Sequence, residues 1–168
     1  LGTAAECRWL ERAATGEGLS FTAFVVGAFA RAIGEDTRMH AYRKGRRRVV
    51  LFDDVDVTVL VESDLEGARI PVPHIVRAAN RKSATAIHRE IRDAQTGEVP
   101  YGGLRRWLPA WLLVPGVVRR LAWSRLLADP RRRKRLTGTA AVTAVGMFGR
   151  GAGWVVPLTD YSIMLGLG

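Results

Sequence analysis

The chain has 168 residues, of which 48% are apolar and 25% charged, and it carries a formal net charge of +10. Its length allows one domain with a buried core, and its composition is ordinary for a globular protein. The charge is uneven, because ten basic residues and one acid lie between Val99 and Arg135. The total charge therefore does not by itself indicate a nucleic-acid-binding protein.

The cysteine content and the two ends of the chain bear on its compartment and completeness. Cys7 is the single cysteine, so no internal disulfide can form and a reducing compartment is indicated. No basic start followed by an apolar stretch is present, so no signal peptide is predicted and we expect a cytoplasmic protein. The first residue is not Met and the last residues lie in an apolar run. These features predict a fragment, with residues 1–168 forming a single domain.

Helical spacing of apolar residues dominates the first part of the chain. It predicts a helix over residues 3–14, and a second helix, FTAFVVGAFARAIGED, that begins after a cap at Ser20. The second helix is apolar on almost every side, so we expect most of its surface to be buried. A polar, turn-rich stretch follows from Thr37 to Arg48, with Gly45 as its pivot.

The pattern then changes to the alternation that is typical of strands. Valines at positions 55, 57, 59 and 61 alternate with other residues, which predicts a strand. A turn at Gly67 leads to a second extended segment, whose prolines place it at a sheet edge or end. A helix, SATAIHREIRDAQ, is predicted next; it starts at Asn80 or Ser83 and ends near Gly97.

The segment at about 97–137 is a basic insert in which tryptophan and leucine residues alternate with arginines. Its longest uncharged stretch, Trp107 to Val118, is too short to span a bilayer. The pattern predicts two short amphipathic helices followed by a basic turn. Burial of the apolar face against the domain or a neighbouring subunit fits best. Residues 99–135 could instead lie on an anionic membrane surface, and nucleic-acid binding through residues 131–135 fits least.

The glycines near the end of the chain do not form a phosphate-binding motif. Gly149, Gly151 and Gly153 have neither the P-loop spacing with its lysine nor the dinucleotide fingerprint, and a strand rather than a helix follows them. They predict a turn between a strand at GTAAVTAVGMFG and a final strand ending at residue 168. Together the elements predict an α/β (α+β) fold, a mixed sheet flanked by helices.

The three histidines provide no metal site by their spacing, so no metal is expected. We expect His40 in a loop, His74 at a strand end and His88 in solvent on a helix. No nucleophile elbow of the Gly-x-Ser-x-Gly type is present. Each histidine is therefore predicted to be structural.

Five segments in order resemble the catalytic domain of the 2-oxoacid dehydrogenase acyltransferases, the dihydrolipoamide acyltransferases of the chloramphenicol acetyltransferase-like superfamily. They are FTAFVVGAFARAIGEDTRMHAY, VVLFDDVDVTVLVE, IPVPHIVRAANRKSATAIHREI, GTAAVTAVGMFG and PLTDYSIMLGLG. The resemblance covers most of the chain apart from the basic insert. It implies a two-layer sandwich and acyl transfer between a dihydrolipoyl thiol and coenzyme A through a tetrahedral oxyanion.

The resemblance assigns one site residue, Thr143. In the family a serine at this strand position stabilises the oxyanion, and the matching stretch here is TAAVTAVG, from Thr139 to Gly146. A threonine hydroxyl can donate the same hydrogen bond. Without the resemblance, Thr143 would be interpreted as an ordinary strand residue.

The family's general base, a histidine in His-x-x-x-Asp-Gly, has no match in this chain. The fourth residues after His40, His74 and His88 are lysine, alanine and arginine. In the family that motif follows the strand matching SIMLGLG, so we expect it after Gly168 and expect this chain alone to be inactive.

The resemblance also implies coenzyme A as a substrate, a lipoyl group on a partner domain, a homotrimer and association with 2-oxoacid dehydrogenase complex subunits. The alternative is a non-catalytic scaffold or a protein associated with a membrane surface.

Overall fold

A computed structural model describes residues 18–65, 68–96, 114–144 and 161–167. The helices, numbered in chain order, are α1 (Phe21–Gly34), α2 (Ala84–Thr96), α3 (Gly116–Ala128) and α4 (Pro130–Thr137), and 3-10 turns span Thr37–His40 and Ala79–Arg81. The strands are β1 (Tyr42–Lys44), β2 (Arg48–Val50), β3 (Val57–Leu65), β4 (Ala68–Val76), β5 (Ala140–Ala144) and β6 (Ile163–Leu167). The mixed α/β fold class predicted from the sequence is confirmed.

The main sheet is mixed, with strand order β4-β3-β5-β6. β3 and β4 are antiparallel, whereas β5 lies parallel to both β3 and β6. Within the described residues β4 is therefore an edge strand, as its prolines predict. A second, small sheet is the hairpin of β1 and β2, and Gly45 in its turn has a φ of 65°, a conformation that favours glycine.

One face of the main sheet packs against α1 and α2. Because side chains alternate along a strand, the odd-numbered valines of β3 share this face, and it also receives Ala140 and Val142 of β5. The helices contribute Val26 and Ile33 from α1 and Ile87 from α2, all fully or almost fully buried. Each buried valine or isoleucine side chain contributes about 1.5–3 kcal/mol, so this layer is the main apolar source of stability.

The two helices of this layer begin at the serines that the sequence indicates. Ser20 stands at the N-cap position of α1, although its side chain makes no cap hydrogen bond within the described part of the chain. The Ser83 hydroxyl caps α2 by accepting the Ala86 backbone N–H at 3.1 Å. Of the 14 residues of α1, only Ala28, Arg31 and Ala32 are exposed, so most of the surface of this helix is buried or half-buried, as predicted.

The structure corrects the description of the basic insert. The stretch predicted as a basic turn is α4, which begins because the Asp129 carboxylate accepts the Arg131 backbone N–H at 3.3 Å and because proline is favoured at a first helical position. The helix predicted next to it is α3, and it has no buried residue. Leu121 and Trp123 are 53% and 52% exposed, so the expected burial against this chain's own fold is wrong for them.

Several predictions from the sequence lie outside the described residues. They are the helix over 3–14 with Cys7, the turn at Gly67, the first of the two insert helices and the glycine turn over 149–153.

Candidate functional site

Thr143 lies on β5, near the carboxyl end of the parallel strands of the main sheet. Ala140 and Val142 belong to the core beneath α1 and α2, so alternation places Ala141 and Thr143 on the opposite face. Thr143 is 8% exposed and is in register with Gly166 of β6. In open sheets with parallel strands, ligands bind beyond the carboxyl ends of those strands.

None of the three histidines shares the sheet face and strand end of Thr143. His74 is paired with Val59, whose side chain faces the helices, and its Nε2 lies 3.5 Å from Glu90 Oε1 of α2. It lies near the C-terminal end of β4, two residues before the strand ends at Val76. His88 is half-buried on α2 and accepts the Ser20 backbone N–H at its Nδ1 over 3.1 Å, so it is not simply solvated.

His40 is fully buried at the end of the 3-10 turn that connects α1 to β1. Neither ring nitrogen has a hydrogen-bond partner in the described part of the chain. Burial lowers the pKa of His40 below its usual value of 6.5, the positive charge of Lys134 lowers it further, and the carboxylate of Asp56 opposes these effects. His40 is thus held neutral, as expected for a structural histidine, at the amino ends of β3 and β5.

A polar network at these amino ends was not predicted from the sequence. Its centre is Asp56, a buried carboxylate directly before β3. Its Oδ2 accepts a hydrogen bond from Arg77 Nη1 at 3.0 Å, and its Oδ1 accepts the Ala78 backbone N–H at 2.9 Å. The Asp56 backbone also bonds Thr139, whose N–H donates to the Asp56 carbonyl at 2.7 Å. Asp56 thereby joins the end of β4 to the start of β5.

The same network attaches the C-terminal end of α4 to the sheet. Arg77 donates to the carbonyl oxygens of Lys134, at 3.0 Å, and of Arg135. Lys134 Nζ donates to the Asp54 carbonyl at 2.6 Å. A cation near the last carbonyls of a helix is favourable, because these groups have no partner within the helix.

Aromatic contacts add to this attachment. The Arg133 guanidinium lies 4.3 Å from the centre of the Tyr42 ring, and the Tyr42 hydroxyl donates to the Gly138 carbonyl at 2.7 Å. Burial raises the pKa of Tyr42 above its usual value, so the hydroxyl remains a donor at neutral pH. An aspartate within a valine run was the one signal in the sequence for this network, but its partners lie 21 and more residues away.

The described residues offer neither a metal centre nor a membrane-spanning helix. Residues 18–65, 68–96, 114–144 and 161–167 contain no group of three or more His, Cys, Asp or Glu side chains placed to hold a metal ion. Within the same residues, no helix has the length and apolar content needed to cross a membrane.

Comparisons with known proteins do not assign this chain to a family. No protein-family model matches the sequence, and no curated protein matches it significantly. A crystal structure of a probable dihydrolipoamide acetyltransferase from Listeria monocytogenes 4b F2365 is similar at a TM-score of 0.47 and 17% identity, over 89% of this chain and 50% of that chain. The chain thus spans about half the length of that structure. At this similarity the likeness defines neither a family nor a shared activity.

Proposed function

We propose that the chain is an acyltransferase domain of the 2-oxoacid dehydrogenase type, in which Thr143 stabilises a tetrahedral oxyanion. The observation that carries the proposal is the position of Thr143 on β5. Three of the segments that resemble the family contribute β3, β5 and β6, and these are neighbouring strands of one sheet. Thr143 stands near the carboxyl end of the middle strand, on the face away from the helices and beside a glycine.

The proposed reaction is the transfer of an acyl group between coenzyme A and a dihydrolipoyl group. The thiolate of the acceptor attacks the thioester carbonyl carbon, forms a new C–S bond and moves the carbonyl electron pair onto oxygen. The Thr143 hydroxyl donates a hydrogen bond to that oxyanion, which then collapses and expels the other thiolate. A positioned donor of this kind lowers the barrier by roughly 3–4 kcal/mol. The base that takes the thiol proton is assigned to none of the described histidines.

Partners follow from the same proposal. The substrates are an acyl-CoA and a lipoyl group carried by a partner domain, and the assembly is a homotrimer or larger, associated with 2-oxoacid dehydrogenase subunits. A non-catalytic scaffold is the competing function, and a continuation after Gly168 without the His-x-x-x-Asp motif would favour it.

The test compares Thr143→Val with Thr143→Ser in the full-length protein. Valine keeps the shape of threonine and removes the donor, whereas serine keeps the donor. With acetyl-CoA and dihydrolipoamide as substrates, we expect Thr143→Val to lower kcat about a hundredfold or more and Thr143→Ser to retain most of it. Equal thermal midpoints would show that both variants fold.

The opposite outcomes are equally specific. Equal turnover of the valine variant and the wild type would remove Thr143 from the site. No measurable acyl transfer by the folded wild-type protein would support the scaffold.

A further inference from the structure

The outward side of α3 is an exposed apolar surface with arginines at its margins. Val117, Val118 and Leu121 are 81%, 52% and 53% exposed. Residues three and four apart are neighbours on a helix, so Leu121 contacts the positions of both valines and the three form one patch. Arg120, three residues after Val117, and Arg125, four residues after Leu121, are both exposed and adjoin this patch. We call these five residues the α3 outer face.

The charge around the α3 outer face defines what can cover it. Residues 114–137 contain eight Lys or Arg residues and a single acid, Asp129, for a net charge of +7. Asp129 already caps α4 and lies 3.9 Å from Arg132 Nε. A partner that buries the apolar patch must therefore carry negative charge to offset these cations, because bringing unmatched like charges together is unfavourable.

We propose that the α3 outer face docks onto the surface of an anionic lipid bilayer. An apolar strip with arginines along its margins can bury the strip at the acyl boundary and leave the guanidinium groups among the phosphates. The helix has 13 residues, so it is about 20 Å long and lies in the plane of the surface. Each basic residue near such a surface adds about 1 kcal/mol of attraction.

The other occupants fit the same observations less well. A second copy would offer either the same segment of +7 or the rest of the chain, whose net charge is +3 (+10 minus +7), and neither supplies the negative charge. Nucleic acid would leave Val117, Val118 and Leu121 against phosphates, with no apolar surface to cover them. An acidic protein would need groups that fix its orientation, and the centre of the α3 outer face has only aliphatic side chains.

The exposed arginines of α4 also support docking on an anionic bilayer. Arg131 and Arg135 of α4 are exposed and extend the positive charge beyond α3. Lys134 and Arg133 instead hold α4 to the rest of the fold through Asp54 and Tyr42. Docking would therefore use side chains that the folded structure does not need for its own contacts.

The experiment is co-sedimentation of the full-length protein with vesicles of phosphatidylcholine alone or with about one third phosphatidylglycerol. We expect binding to the anionic vesicles only, and loss of that binding at high salt. Arg120→Glu with Arg125→Glu should weaken binding at least about thirtyfold. The matched control, Arg46→Glu with Arg47→Glu in the exposed β1–β2 turn, changes the net charge equally and should bind far more tightly than the α3 variant.

The apolar contribution is tested with a second matched pair. Val118→Glu with Leu121→Glu should abolish measurable binding, whereas Val49→Glu with Leu51→Glu, at residues 65% and 52% exposed, should preserve much of it. These side chains are exposed, so circular dichroism should show all variants folded. Equal binding by the two members of either pair would overturn the proposal. Absence of binding by the wild type to the anionic vesicles would also overturn it.

Discussion

α3 and α4 are consecutive helices with opposite relations to the rest of the fold. α4 consists largely of arginine and lysine, yet Pro130 is buried and the helix is attached through Arg133, Lys134 and its last carbonyls. α3 is largely apolar, yet none of its residues is buried. A prediction from average hydropathy would therefore choose α3, and not α4, as the helix that packs on the fold. What decides the outcome is whether the sheet offers specific partners, and Asp54, Asp56 and Arg77 offer them only to α4.

The largest expected effect is at Gly138, where α4 ends and β5 is about to begin. Its φ is 75°, and an added Cβ would lie 2.8 Å from the Asp56 carbonyl oxygen and 3.0 Å from Thr58 Oγ1. We expect Gly138→Ala to lower the free energy of unfolding by about 3 kcal/mol through strain and this clash. Urea unfolding measures the effect. Gly116→Ala, at the open start of α3, is the control, since no atom lies within 4 Å of its added Cβ.

The second prediction removes the side chain that holds the end of α4. Arg77→Met should cost about 2 kcal/mol of unfolding free energy, because the buried Asp56 carboxylate loses its guanidinium donor. Arg77→Lys keeps the charge but lacks the planar set of donors that reaches two carbonyls, so we expect an intermediate loss. A loss below about 0.5 kcal/mol for Arg77→Met would contradict the role given to this network.

The third prediction concerns pH and His40. In the folded protein the pKa of His40 is lower than the usual value of 6.5. Below pH 6.5 the unfolded state therefore binds more protons at this residue than the folded state does. Stability from keeping His40 neutral is fully present above about pH 6.5 and declines, by at most about 1.4 kcal/mol per pH unit, as pH falls toward the folded pKa. His40→Phe should remove this part of the pH dependence. Parallel pH profiles for the variant and the wild type would contradict the prediction.

The smallest effect is expected on α3. Leu121→Ser should change the free energy of unfolding by no more than about 0.5 kcal/mol, because the side chain is already 53% exposed. Ile87→Val, a milder change at a fully buried position of α2, should cost about 1 kcal/mol and is the reference. A larger loss for Leu121→Ser than for Ile87→Val would show that α3 packs on the fold after all.

The elements with a regular apolar period were predictable from the sequence, and those held by polar contacts were not. Alternating valines predicted β3, and helical spacing predicted α1 and α2. Each of these elements buries one side against the neighbouring layer, so its apolar residues must recur at the spacing of a strand or a helix. α4 has no apolar face, so its sequence predicts a turn by periodicity, although Asp129 as cap, proline at the first position and glycine after the end are all typical of helix boundaries. The Asp56–Arg77 contact could not be predicted, since it exists only once the strand order is fixed.

For the candidate site, the sequence placed Thr143 on a strand, and the structure has it on β5. Its role rests on the resemblance, because a threonine in a strand is by itself ordinary. The face it occupies depends on which residues of β5 pack under the helices. That choice is set by pairing with β3 and β6, and so by residues far along the chain.

The strand order also constrains the order in which parts of the chain can pair during folding. β3 and β4 adjoin in sequence and can pair early, but β5 docks beside β3 through contacts such as that of Asp56 with Thr139, 83 residues apart. Contacts of such long sequence separation form slowly, because a large loop must close first. Until β5 arrives, one edge of β3 has free backbone groups and valine side chains, which is the kind of edge that promotes aggregation. A nascent chain therefore needs everything through α4 and β5 before this edge is protected.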